Sequence, residues 1–353
     1  ITVTGTNDAP TLAAGLGNAV EDGASVDVDL TALGADVDSD DDGASLTYTV
    51  SGAPIEGSAS ITGGTLSFDP GADFQDLAVG ETRDATVQVT ATDTHGATAV
   101  NDVVITVTGT NDAPTLAAGF GNAVEDGPTV SVDLAPLAGD VDSDDDATSL
   151  NYAIPGVPSE GSAVFNGSVL EFNPGNDFQD LALGETRDVV INTSATDAHG
   201  AVVTNTVIIT VTGTNDAPTL AAGLGNAVED GASVDVDLTA LGADVDSDDD
   251  GASLTYTVSG APIEGSASIT GGTLSFDPGT DFQDLAAGET RDVTVQVTAT
   301  DTHGATAVND VVITVTGTND APTLAAGFGN AVEDGPTVSV DLAPLAGDVD
   351  SDD

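Results

Sequence analysis

The carboxylates of this sequence are grouped in a way that suits a hard cation. Residues 5–108 hold 18 Asp and Glu, and 11 of these fall in five short clusters rather than along the apolar stretches. The clusters are Asp8 beside Asn7, Glu21 with Asp22, the run Asp36, Asp38, Asp40, Asp41 and Asp42, Glu81 with Asp84, and Asp93. Calcium takes about six to eight oxygen ligands in irregular geometry, and several carboxylates brought to one place meet that need. Without a cation they would repel strongly at short range. The expected cofactor is therefore Ca2+, with no catalytic group and no organic cofactor.

The same set returns twice more in register. It is Asn111, Asp112, Glu125, Asp126, Asp140, Asp142, Asp144, Asp146, Glu185, Asp188 and Asp197, then Asn215, Asp216, Glu229, Asp230, Asp244, Asp246, Asp248, Asp250, Glu289, Asp292 and Asp301. A fourth set opens with Asn319, Asp320, Asp348 and Asp350. A self-contained loop competes with a shared site, because Asp38-x-Asp40-x-Asp42-Gly43 matches the start of an EF-hand loop. Its twelfth position is Thr49, and the second copy has Ala147 for the glycine. A site shared between neighbours is favoured, with Asp40 to Asp42 left open as the place of an additional ion.

Other chemistry is weaker. His95, His199 and His303 each follow the late aspartate by two residues and read as turn residues rather than zinc ligands. Arg83 lies between Glu81 and Asp84, where a local salt bridge is expected. Thr106 and Thr108 fit ordinary β-surface. Asp93-Thr-His-Gly lacks the Asp-Thr-Gly of aspartic proteases, and a general acid–base site repeated along the chain without a pocket signature is improbable. The chain is not expected to be an enzyme.

The elements that must position these groups come from a repeat. Gly-Thr-Asn-Asp-Ala-Pro begins at Gly5, Gly109, Gly213 and Gly317, a period of 104 residues. The expected division is 1–6 as the end of a preceding repeat, then repeat 1 (7–108), repeat 2 (109–212), repeat 3 (213–316) and a truncated repeat 4 (317–353). Repeats 1 and 3 differ at Ala72/Thr280, Val79/Ala287 and Ala85/Val293, whereas the fourth follows the second, with Phe328 matching Phe120 and Pro336 matching Pro128. Ile1 to Thr4 are expected in a terminal strand, like Ile105 to Thr108. Both ends look cut from a longer chain.

Each repeat reads as short strands. Val26, Val28 and Leu30 alternate with Asp27 and Asp29; Leu46, Tyr48 and Val50 alternate likewise. Gly63-Gly64 joins Ser58–Ile61 to Thr65–Asp69 as a hairpin. Val87, Val89 and Ala91 mark one long strand, and Val103, Ile105 and Val107 the last. About seven strands per repeat imply an all-β immunoglobulin-like sandwich, in tandem, with Phe68, Phe74 and Leu77 in the core. Gly109 opens a short linker and offers a hinge.

Charge narrows the partners. Sixty acids against three arginines and no lysine give −57, which disfavours nucleic acid and anionic membranes. There is no cysteine, so disulfides and thiolate metal sites are excluded, and without lysine no Lys–Asn crosslink can form. Neither an apolar run of membrane-spanning length nor a signal peptide is visible.

The order of the clusters resembles cadherin ectodomain repeats, and more closely the bacterial cadherin-like or VCBS repeats of giant RTX adhesins. Asn-Asp-Ala-Pro is similar to the cadherin linker, Ala19-Val-Glu-Asp-Gly to the first-strand glutamate motif, Asp36-Val-Asp38 to the Asp-x-Asp loop, and Thr90-Ala-Thr-Asp93-Thr-His-Gly to the late Ala-x-Asp-x-Gly segment. Gly80-Glu-Thr-Arg-Asp84 only approximates the Leu-Asp-Arg-Glu motif. The resemblance implies calcium between repeats. At the first junction Glu21 and Glu81 or Asp84 would come from repeat 1, Asn111 and Asp112 from the linker, and Asp140, Asp142 and Asp197 from repeat 2. It also implies a monomeric, calcium-stiffened rod on a bacterial surface, secreted without an N-terminal signal peptide, whose partners are its neighbouring repeats. Its work would be to space out a distal adhesive domain; the alternative is that the repeats bind glycans or one another, against which stand the missing tryptophan and one tyrosine per repeat.

Overall fold

A computed structural model describes residues 1–351. Repeat 1 is built from β1 (Thr11–Leu12), β2 (Gly15–Val20), β3 (Val26–Asp29), β4 (Gly34–Ala35), β5 (Thr47–Gly52), β6 (Ser58–Thr62), β7 (Thr65–Asp69), β8 (Thr82–Thr92) and β9 (Thr98–Thr108). One sheet has the order β2-β9-β8-β5 and the other β3-β7-β6, while β1 and β4 form a two-stranded clip. All-β, immunoglobulin-like architecture is as expected. The alternations of the sequence set the faces: Val87, Val89, Ala91, Val103, Ile105 and Val107 are buried from the first sheet, Leu66 and Phe68 from the second.

Phe68 and Phe74 meet edge to face, centroids 6.4 Å apart, and Leu77 closes the core beside them. The β6–β7 hairpin turns on Gly63 and Gly64, both at positive φ, with Thr62 opposite Thr65. That conformation suits the right-handed twist of the strands and is costly for residues with a Cβ. Repeat 3 has the same sheets, with Gly223–Val228 parallel to Val311–Thr316 and Phe276 and Phe282 in the core.

Strand periodicity reveals faces but not partners, and here it left one pairing unread. β2 pairs with β9 in parallel, Gly15 opposite Val103 through Val20 opposite Thr108. The first long strand therefore ends beside the last, at the pole from which the linker departs.

Two sequence expectations change. Ile1 to Thr4 form no strand, whereas their counterpart Ile105–Thr108 is held by β8 and β2 of its own repeat. Gly109 is no free hinge. Its N–H donates to Glu81 O at 2.8 Å and its carbonyl accepts from Gly80 N at 3.1 Å, and a Cβ there would collide with the carbonyl oxygens of Leu77 and Ala78. The glycine permits close packing.

The chain divides into two compact units, one of residues 1–122, 128–173 and 188–210 and the other of residues 123–127, 174–187 and 211–353. The first repeat-to-repeat junction lies wholly within the first unit and the next two within the second.

Candidate metal centre

At the first junction the site is assembled by the backbone. Glu21 follows β2, and its N–H donates to Thr108 O at 3.0 Å, extending the parallel ladder to the linker. Asp22 then takes φ 50°, a left-handed turn that Asp tolerates better than most residues. Its Oδ1 accepts from Gln75 Nε2 at 2.9 Å. Thr110 donates to Glu21 Oε1 through its N–H at 2.7 Å and its hydroxyl at 3.2 Å. The short pairing of Thr115–Leu116 with Ala138–Gly139 brings Asp140 and Asp142 under the linker, where Asp112 N donates to Asp142 Oδ2 at 3.0 Å and Asp142 N to Asp140 Oδ1 at 3.2 Å. Asn111 Nδ2 donates to Asp197 Oδ2 at 2.9 Å.

These bonds satisfy one carboxylate oxygen each of Glu21, Asp140 and Asp142 and leave the other, and they use Asn111 and Asp112 only as donors. Glu21 Oε2, Asn111 Oδ1, Asp112 Oδ2, Asp140 Oδ2 and Asp142 Oδ1 are all buried with no hydrogen-bond partner. Glu21 is fully buried and Asp142 is 2% exposed. Ligand oxygens of Glu21, Asp112 and Asp142 lie within 4.8 Å of one another. Burial raises the pKa of Glu21, Asp112 and Asp142, and neighbouring carboxylates raise it further. Asp197 is the opposite case. Although burial opposes it, Asn111 and three backbone N–H groups hold its carboxyl below the ordinary value.

Buried carboxylates without partners are expensive, and native proteins rarely leave such oxygens orphaned. A bound cation would relieve that cost. Three converging carboxylates from two consecutive repeats, with two more orphaned oxygens at the same junction from Asn111 and Asp140, make an all-oxygen donor set that fits calcium chemistry.

The second junction repeats the pattern with Glu125 Oε2, Asn215 Oδ1, Asp216 Oδ2, Asp244 Oδ2 and Asp246 Oδ1 unpartnered. There Glu125, Asp126 and Asp216 bring ligand oxygens within 4.8 Å, and Asn215 reaches Asp301. The third offers Glu229 Oε2, Asp320 Oδ2 and Asp350 Oδ1. Asp230 adds to the raised pKa of Asp320, whose first cause is burial, followed by Asp230, Asp350 and Asp348. At the start of repeat 1 the matching bonds recur, Asn7 to Asp93 and Asp8 N to Asp38, with Asp36 Oδ2 unpartnered.

Other candidates go elsewhere. Asp84, Asp188 and Asp292 sit on the long strand and accept from Thr106, Thr210 and Thr314. Glu81, Glu185 and Glu289 accept serine hydroxyls from Ser143, Ser247 and Ser351. Asp42 caps its own turn, taking N–H bonds from Ala44 and Ser45, and Asp146 and Asp250 do likewise. The EF-hand resemblance therefore fails: Asp38 turns to the linker while Asp42 is used up locally. Gly43 is set by packing, since a Cβ would strike the carbonyl oxygens of Thr31 and Gly34. Arg83 reaches past its neighbours in sequence, because adjacent strand residues face opposite ways; it grips Asp76 at 2.6 and 3.0 Å and Glu56 at 3.0 Å.

Asp41 was missed. Its side chain is fully buried, accepting from Thr94 and Ser45. With Asp40 and His95 it forms a second, shallower group, repeated as Asp144, Asp145 and His199 and as Asp248, Asp249 and His303. The histidines remain turn residues, but beside carboxylates.

The fold is similar to solved cadherin structures: protocadherin gamma B2 extracellular cadherin domains 1–5 (TM-score 0.59, 15% identity, 88% of this chain and 60% of that one), mouse cadherin-23 EC22–24 (0.57, 14%, 89% and 100%) and the protocadherin gamma B4 extracellular domain (0.58, 16%, 92% and 52%). This chain thus spans less than two thirds of the two protocadherin chains. No curated protein matches in sequence. The bacterial Ig domain pattern matches residues 7–106, 111–210 and 215–314. The chain belongs to the bacterial Ig domain family, as three tandem repeats with a cadherin-like fold.

Proposed function

We propose that the chain is a calcium-stiffened extender of a secreted bacterial surface adhesin, of the VCBS-like kind found in RTX adhesins, and not an enzyme. Tandem bacterial Ig repeats with cadherin-like folds suggest an extracellular structural or adhesion module. The observation that carries the finer reading is the set of buried, unpartnered oxygens contributed jointly by Glu21, Asn111, Asp112, Asp140 and Asp142. A cation held by both repeats makes bending break ion–oxygen bonds. The near-identity of repeats 1 and 3 favours a spacer, whose output depends on number rather than individuality. Among the described residues no helix is long and apolar enough to cross a membrane.

Small-angle scattering on the full chain tests this. In calcium the distance distribution should end at a sharp maximum dimension; in EGTA it should broaden. Identical curves would remove calcium as the stiffener.

A further inference from the structure

We propose that each joint also carries a metal-independent latch, a serine of the following repeat seated on a carboxylate and, at the first two joints, on a carbonyl of the preceding one, which pre-shapes the cation site. The inference rests on the cation reading above and deepens it. Ser143 follows Asp142 directly, so its position and that of a buried site carboxylate are set together. Its hydroxyl donates to Glu81 Oε2 at 2.6 Å and its N–H to Asp76 O at 3.0 Å. Ser247 repeats both contacts, to Glu185 Oε2 at 2.5 Å and Asp180 O at 3.1 Å. Ser351 donates to Glu289 Oε2 at 2.7 Å.

The receiving side is built before the serine arrives. Asp76 is clamped by both guanidinium nitrogens of Arg83, which Glu56 also holds. Glu81 accepts from Ala78 N at 3.3 Å through the same oxygen that takes the serine, while its carbonyl holds Gly109 N at the start of the linker. One residue therefore fixes both the exit of the chain and the neighbouring repeat. Hydrogen bonds to ionised carboxylates are among the stronger ones, and none of these contacts needs a cation.

In the metal-free state Glu21, Asp112, Asp140 and Asp142 repel one another, and the latch opposes their separation. A site already assembled binds without the cost of ordering two bodies. Ser143 is thus a positioning residue: its hydroxyl raises calcium affinity without being a ligand. Glu81, occupied by the serine, serves the joint as an acceptor. Were Glu81 a calcium ligand held back by Ser143, freeing it would have the opposite effect.

The test uses the full chain with S143A/S247A, compared by calcium titration calorimetry and by amide hydrogen exchange in EGTA. Calcium affinity at the two joints should fall about tenfold, the size expected for losing one charge-assisted bond, and Ser143→Thr with Ser247→Thr should restore it. S39A is the control: Ser39 occupies the same place in repeat 1 and has no such carboxylate partner among the described residues, so both joints should be unaffected. Affinity unchanged or raised in S143A/S247A overturns the latch. Exchange separates this from failure of the cation reading. The Ser143 and Ser247 amides should be protected in EGTA and lose protection in the variant, whether or not calcium binds; protection equal in both chains also overturns the proposal.

Discussion

Asp112 and Asp142 share one hydrogen bond and one problem. The Asp112 N–H donates to Asp142 Oδ2 at 3.0 Å, which holds the two carboxylates together, while Asp112 Oδ2 and Asp142 Oδ1 are left buried and unpartnered. The backbone enforces a proximity that the charges resist, which is the relationship the proposed cation would relieve.

Calcium removal should lower the melting temperature strongly. An occupied site adds about 2.7 kcal/mol when free ligand is ~100 times its dissociation constant, so losing the junction sites should cost on the order of ten degrees or more. Differential scanning calorimetry in calcium and in EGTA measures it. Magnesium should rescue poorly, because it demands near-ideal octahedral geometry.

The pH response should invert with calcium. Burial and mutual repulsion raise the pKa of Glu21, Asp112, Asp142, Glu125, Asp216 and Asp246. For a raised carboxyl, the native state binds more protons than the unfolded one, so stability is gained as pH falls through the folded pKa. In EGTA the melting temperature should therefore rise as pH drops from 7 toward the ordinary carboxylate range. Below that range it should fall again as Asp93, Asp197 and Asp301, held low in the fold, become protonated. In saturating calcium acidification should only destabilise, since protons compete with the ion.

Asp142→Asn and Asp84→Asn should separate the site from its surroundings. The first removes a buried charge whose unpartnered oxygen is assigned to the proposed cation, and it should abolish high-affinity binding at that junction. The second alters an exposed carboxylate paired with Thr106 at 2.7 Å and should leave calcium stoichiometry unchanged, at a stability cost within about 1 kcal/mol. Isothermal titration distinguishes the two.

Much of this was legible in residues such as Val87, Val89 and Phe68, because a half-buried strand must alternate and a hairpin with two positive φ values must use residues like Gly63 and Gly64. Glu21, Asp112 and Asp142 were legible as a group because clustered charge is costly enough to require a reason. Which oxygen of each would be free was not, since that depends on hydrogen bonds made by Thr110 and Asp112 N–H. The parallel pairing of β2 and β9 left no periodic trace. Arg83 was misjudged for a related reason: sequence adjacency suggested Glu81 and Asp84, whereas strand direction gave it Asp76 and Glu56.

Gly43→Ala should lower the melting temperature of repeat 1 without changing calcium affinity. The added methyl has no room beneath Thr31 O and Gly34 O, so the loop that Tyr48 ties down through its hydroxyl, 2.7 Å from Gly43 O, must shift. A loss of calcium binding would instead return Gly43 to a metal loop.

The parallel alignment of β2 with β9 also has a mechanical side. The chain enters a repeat just before β2 and leaves it just after β9, and the two strands are joined over six residue pairs, with Glu21 N to Thr108 O as a further bond. Tension applied between the ends of a repeat would slide these strands along one another instead of peeling them apart, so the load falls on the whole set of bonds at once and rupture is cooperative. A repeat with this wiring resists stretching by geometry alone, and an ion at the end of the seam would brace the place where slippage must begin.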